Sequence, residues 1–167
     1  MAPQLKLYTV LSYILIPIAL FFAFLDMALL LSSLANASVL IMVFIIACLV
    51  IYTFASFKFL KAGIEKEIAQ TAKLKDWIKV NAYVSFFLCS LFFINAISVL
   101  ISSDLVLLKF IDEFLESQPG IPKELTSALM LSLIKGVSVF LLVTGIVGLM
   151  HIRTSLRLLK QYAYLFE

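Results

Sequence analysis

Two cysteines, one histidine and one tryptophan are all that the 167 residues hold of those three types. Cys48 and Cys89 both fall inside long apolar runs, where a thiol behaves as a small apolar side chain, so no disulfide framework is expected. His151 has no second nitrogen or thiolate at helical spacing, which excludes paired haem ligation and a structural metal centre. Interface packing is its expected role. No stretch places a nucleophile beside a base. No catalytic residue, cofactor-binding residue or metal ligand is therefore assigned, and enzyme activity is not expected.

Charge is also scarce. Only 14% of the residues are charged while 63% are hydrophobic, and the mean hydropathy is +1.13, far outside the soluble range. The period-two alternation that membrane barrel strands require is missing. What the chain does have is long apolar runs, and about 20 apolar residues in a helix cross a hydrocarbon core roughly 30 Å thick. The first runs from Leu7 to Leu25 and continues past Asp26 to Leu34. The second covers Val39 to Phe57, the third Val80 to Ser103, and the fourth Leu125 to Ile152, interrupted only by Lys135. Ala35-Asn36-Ala37 has the small-x-small look of a secretory cleavage site. The run before it is longer than the roughly 7 to 15 apolar residues of a signal core, so a tight turn over Ser32 to Ser38 joining two spans is expected instead.

Basic residues near span ends set orientation. Ten lie on one side: Lys6, the six lysines at 58, 61, 66, 73, 75 and 79, and Arg153, Arg157 and Lys160. Three, Lys109, Lys123 and Lys135, lie on the other. Both termini and the middle loop are thus expected in the cytoplasm, in a plasma or inner membrane. Trp77 beside Lys79 suits a ring at headgroup level. The middle loop is rich in helix formers, so helical extensions beyond the membrane are expected across 58–79. In the outer loop Leu107, Leu108, Ile111, Phe114 and Leu115 share one helical face opposite Lys109, Asp112, Glu113 and Glu116, an amphipathic pattern over 104–123 that ends at Pro119, Gly120 and Pro122. Lys123 and Glu124 then open the fourth helix.

The chain repeats itself. Ser56 to Gly63 reads SFKFLKAG and Ser155 to Tyr162 reads SLRLLKQY, an offset of ninety-nine. Sliding by seventy-three sets Lys6 on Lys79, Ser12 on Ser85, Leu15 on Leu88 and Ala23 on Ala96. The expected fold is an all-α integral membrane four-helix bundle forming one domain over 1–167. It has two tandem hairpins, about 5–63 and 78–163, related by a pseudo-two-fold along the membrane normal.

Three groups of residues stand out. Asp26, Asn95 and Lys135 fall at similar depth, about 24 to 30 Å from the basic side at 1.5 Å per residue, and form a candidate outer polar cluster. The alternative is that Asp26 and Lys135 reach the outer headgroups separately. Lys58, Lys61, Arg153, Arg157 and Lys160 are candidate inner contacts to lipid headgroups, each worth about 1 kcal/mol near an anionic surface. Ala128, Ser132, Gly136, Thr144 and Gly148 recur at multiples of four on one helical face and form a candidate close-packing face. Expected partners are membrane lipids, anionic on the cytoplasmic side, and a second copy or another membrane protein; nucleic acid is not expected. A non-catalytic membrane component acting by contact is the leading functional reading. A small transporter or permeation unit for an apolar or weakly polar substrate along the repeat axis is the alternative.

Overall fold

The computed structural model describes residues 3–117 and 126–166. Five α-helices carry most of them: α1 (Pro3–Ser33), α2 (Leu40–Lys58), α3 (Ala72–Ile101), α4 (Asp104–Ser117) and α5 (Ser127–Gln161). Four helical stretches are long and apolar enough to cross a membrane: Pro3–Ser33, Ala37–Ile64, Ala72–Ile101 and Ser127–Gln161. These are the four spans expected from the sequence, and they make this a membrane-embedded protein. The turn expected at residues 119–122 and the residues Lys123 and Glu124 lie outside the described residues.

A polar cap turns the chain between α1 and α2. After α1, the side-chain oxygen of Asn36 accepts the Ser38 backbone N–H at 3.0 Å and starts a short 3₁₀ turn, Ala37–Val39, that feeds α2. This is the tight turn of the first hairpin, and α1 packs against α2. Several serines of the third span need no partner helix. Ser90 and Ser98 on α3, and Ser102 just past its end, each donate to the carbonyl four residues back, so their hydroxyls are satisfied locally, as a hydrocarbon surround would require.

The middle connection is helical at both ends and irregular between. Beyond Lys58 the backbone ladder widens into a π-helical segment, Phe59–Ile64, after which the Glu65 N–H donates to Leu60 O at 2.9 Å. A Cβ at Gly63 would meet Phe59 Cδ2 at 3.0 Å, so the absence of a side chain there lets the segment pack against its own aromatic ring. Glu67 takes a positive φ of 53°, unusual for a residue with a side chain. The helix resumes at Ala72. The expectation of helix across 58–79 therefore fails over 65–71, where a tertiary contact wins. The Gln70 N–H donates to Leu165 O at 2.6 Å, Gln70 bridges to Phe166, and the Phe166 ring lies 5.1 Å from that of Phe59. The aromatic tail after α5 thus straps the middle loop.

The described chain divides into two compact units: Met1–Ser90 with Ile146–Glu167, and Leu91–Gly145. The larger unit holds most of the core, including Tyr8, Leu15, Leu49, Tyr52, Phe59, Ile78 and Leu158. In the smaller unit α4 is a helix separate from α3, because the chain breaks at Ser102 and Ser103. It is fastened to α5 at two points: Asp104 pairs with Lys135, and the Ser127 hydroxyl donates to Asp112. Residues eight apart on α4 meet residues eight apart on α5 in reverse order, so the two helices run antiparallel. Along α4 Ile111 is buried and Leu107, Leu108 and Leu115 are half-buried, whereas Phe114, expected on the same apolar face, is exposed together with Lys109, Asp112, Glu113 and Glu116.

Candidate functional site

Three helices of the larger unit each carry a ring at one position and a serine four residues on: Tyr8 and Ser12 on α1, Tyr52 and Ser56 on α2, His151 and Ser155 on α5. A spacing of four stacks the two side chains on one helical face. All six are buried, with at most 2% of their surface exposed. They meet. His151 Nε2 lies 2.9 Å from Ser12 Oγ, and His151 Nδ1 lies 2.7 Å from Tyr52 Oη. The Tyr8 hydroxyl donates to Ser56 O at 3.0 Å and lies 3.4 Å from Ser155 Oγ. The Tyr8 ring stacks on the imidazole with centroids 4.7 Å apart, and the Tyr52 ring stands edge-on to it at 5.5 Å.

Counting donors fixes where the protons sit. A hydroxyl has one proton to give. Ser12 donates to Tyr8 O at 2.8 Å, so toward His151 it accepts, and Nε2 carries the hydrogen. A neutral imidazole then presents Nδ1 as acceptor, and the Tyr52 hydroxyl donates to it. Tyr8 gives its proton to Ser56 O and accepts from Ser155. Ser56 Oγ donates to Thr53 O at 3.0 Å, and Thr53 Oγ1 to Leu49 O at 2.8 Å. Every donor of this cluster has an acceptor. A buried polar group left unpaired costs about 1–3 kcal/mol, so this closed set penalises any arrangement of α1, α2 and α5 that breaks it.

The fourth helix of the unit carries the same spacing in Asn81 and Ser85 on α3 but does not join in the same way. Asn81 Nδ2 donates to Trp77 O at 2.8 Å on its own helix, and Ser85 Oγ is buried with no hydrogen-bond partner among the described residues. Contact between α3 and α5 is instead steric. A Cβ at Gly148 would lie 2.4 Å from Cys89 Sγ, so the two backbones come closer there than any other residue type permits.

The residues singled out from the sequence fall as follows. Of the close-packing face, Thr144 and Gly148 are buried, whereas Ala128, Ser132 and Gly136 are exposed and a Cβ at Gly136 would meet nothing within 4 Å. Of the outer cluster, Lys135 pairs with Asp104 and Asn95 Nδ2 donates to Leu91 O at 2.9 Å. Asp26 has one carboxylate oxygen buried without a partner among the described residues. Of the inner basic set, Lys61 is engaged by Glu65 at 2.8 Å and lies 5.0 Å from the Tyr13 ring centroid; Lys58, Arg153, Arg157 and Lys160 are exposed. Lys160 also lines a cleft of about 430 Å³ together with Lys75 and Lys79, two residues the sequence did not single out. Trp77 is about half exposed, with Lys73 Nζ 5.8 Å from its ring.

The site the sequence missed is the tyrosine–histidine–serine cluster. His151 looks solitary along the chain because its partners lie 99 and 139 residues away. The usable signal was the ring-and-serine pair recurring on separate spans.

These features define a four-span, membrane-embedded α-helical protein whose larger unit is laced by buried polar groups. Comparison with protein families, curated proteins and solved structures finds no match for the chain.

Proposed function

We propose that the protein is a non-catalytic integral membrane component that works by contact with lipids or with other membrane proteins. The observation that carries this reading is the closure of the buried cluster. Tyr8, Tyr52 and His151 are the side chains a membrane enzyme or proton carrier would use, and each is committed to an interhelical hydrogen bond in the core. A closed network rigidifies and specifies a fold. Within the cluster, none of these three side chains is left free to face a substrate. The helical exterior is apolar, with Phe24, Leu31, Phe44, Val80 and Val137 among its exposed residues, which suits lipid or a neighbouring span.

Two finer points belong to the same reading. The tandem-hairpin architecture with a pseudo-two-fold along the membrane normal is supported by burial: residues 52–60 and 151–159 share the same sequence of buried, half-buried and exposed positions at the offset of ninety-nine. The orientation with both termini cytoplasmic, in a plasma or inner membrane, rests on the ten-to-three distribution of basic residues.

A small permeation unit for a weakly polar solute is the second reading, and the observation in its favour is the unpartnered, buried Ser85 hydroxyl. Flux assays separate the two. Proteoliposomes containing the full chain alone should pass small solutes and protons no faster than empty vesicles, and a stoichiometric membrane-protein partner should co-purify under mild extraction. Flux well above empty vesicles, abolished by Ser85→Val, would overturn the contact reading.

A further inference from the structure

The cleft of about 430 Å³ lies between the first turns of α3 and the last turns of α5, within the larger unit. It is lined by Lys75, Lys79 and Lys160, by Tyr83, and by the apolar Leu156, Leu159 and Ala163. Among the described residues no carboxylate lines it, and none of the three lysines has a carboxylate within ion-pair distance. The nearest acid along α3, Asp76, borders a different, shallow depression with Trp77, Val80 and Asn81. Three lysines therefore line one space in which no carboxylate takes part among the described residues.

The lining is graded along both helices. On α3, Lys75, Lys79 and Tyr83 follow one another at spacings of four, so the face passes from two ammonium groups at the helix start to an aromatic ring two turns into the span. On α5, Lys160 stands near the helix end and Leu156 one turn deeper. The lysines of the lining thus stand nearer the ends of the two helices, and Tyr83 and Leu156 farther along the spans. The volume far exceeds what an inorganic phosphate fills and lies within the usual range for organic ligands, about 300–1,000 Å³. Lys75 is further positioned by the tail, its Nζ lying 5.6 Å from the Phe166 ring.

We infer that this cleft is a binding site for one anionic phospholipid of the adjacent leaflet, with the phosphate held by Lys75, Lys79 and Lys160 and an acyl chain laid along Tyr83 and Leu156. The inference rests on the proposed role in lipid and protein contact and names the lipid class. Ammonium groups bind phosphate as point charges without demanding one geometry, so the site selects headgroup charge rather than headgroup identity. The apolar part of the lining distinguishes a lipid from a free anion.

Native mass spectrometry of the full chain in detergent tests this, titrating phosphatidylglycerol, phosphatidylcholine and inorganic phosphate separately. One phosphatidylglycerol should bind in preference to phosphatidylcholine. The combined Lys75→Gln, Lys79→Gln and Lys160→Gln substitutions should weaken it roughly a hundredfold, from about 1 kcal/mol per basic residue. The same three positions changed to Arg should retain it, which separates loss of charge from loss of fold. Lys6→Gln, Lys66→Gln and Lys109→Gln together remove equal charge from exposed positions and should leave the preference within a few-fold of the parent. An equal loss in that control, equal binding of both lipids, or displacement of the lipid by inorganic phosphate at matching concentration would each overturn the site. Solute flux would sink the contact role while leaving this lipid site intact, and absence of lipid preference would do the reverse.

Discussion

The two units of the chain are held by different means. In the larger one, polar atoms are buried and shared between helices: an imidazole, two phenols and several serine hydroxyls exchange hydrogen bonds across α1, α2 and α5. In the smaller one, α4 is held to α5 by polar pairs at the surface, Asp104 with Lys135 and Asp112 with Ser127, around the buried Ile111. Buried pairs gain from low dielectric and are costly to leave half made, whereas exposed pairs are screened and worth little. One unit is specified by chemistry in its core. The other depends on apolar packing, and many of its apolar side chains, such as Leu105, Val106, Phe110 and Leu133, are exposed.

The contrast is sharpest at His151. His151→Leu preserves approximate volume but leaves the buried Tyr52 hydroxyl without an acceptor, while Ser12 keeps its bond to Tyr8 O, so the larger unit should lose about 1–3 kcal/mol of stability, read by denaturant titration in detergent micelles. Combining it with Tyr52→Phe should cost clearly less than the sum of the two, with at least about 0.5 kcal/mol of coupling. A loss under about 1 kcal/mol for His151→Leu would mean that the cluster is not what fastens these helices.

Two glycines of α5 provide the next test, one from each unit. Gly148→Ala should cost about 1–3 kcal/mol, because its methyl group would meet Cys89 Sγ, and Cys89→Ala in the same chain should recover most of it. Gly136→Ala, with open space around it, should be neutral or stabilise by up to about 1 kcal/mol through helix propensity. Equal effects at the two positions, measured by thermal melts in the same detergent, would erase the distinction.

The smallest effect is expected at the surface pair. In a double-mutant cycle, Asp104→Asn and Lys135→Met should couple by less than about 1 kcal/mol and weaken further in high salt. A coupling as large as that at His151 and Tyr52 would place the two units on the same footing.

The spans were legible because lipid imposes one strong requirement, a long apolar helix, and Leu7, Val39, Val80 and Leu125 mark its beginnings to within eight residues of the observed helix starts at Pro3, Leu40, Ala72 and Ser127. The helix ends were less so. Hydropathy reports residence in lipid, and α5 continues past Arg153 to Gln161 because helix formation does not stop at the headgroups. The irregular loop over 65–71 was hidden for another reason: its residues favour helix, and the competing partners, Leu165 and Phe166, lie almost a hundred positions away. The same separation hid the buried cluster. Burial also decided the small-residue stripe. Its five members look equivalent along the chain, but Gly148 meets Cys89 whereas Gly136 has nothing within 4 Å.

The hydrogen bond between Ser12 and His151 spans 139 residues. At roughly 5 to 20 residues per second of synthesis, a ribosome needs on the order of ten seconds to travel from one to the other. Throughout that interval α1 and α2 have been made but the imidazole has not, so the Tyr52 hydroxyl must be served by water, by lipid headgroups or by an insertion factor, whereas Ser12 already has Tyr8 O on its own helix. The arrival of α5 relieves Tyr52, which makes it the step that closes the cluster.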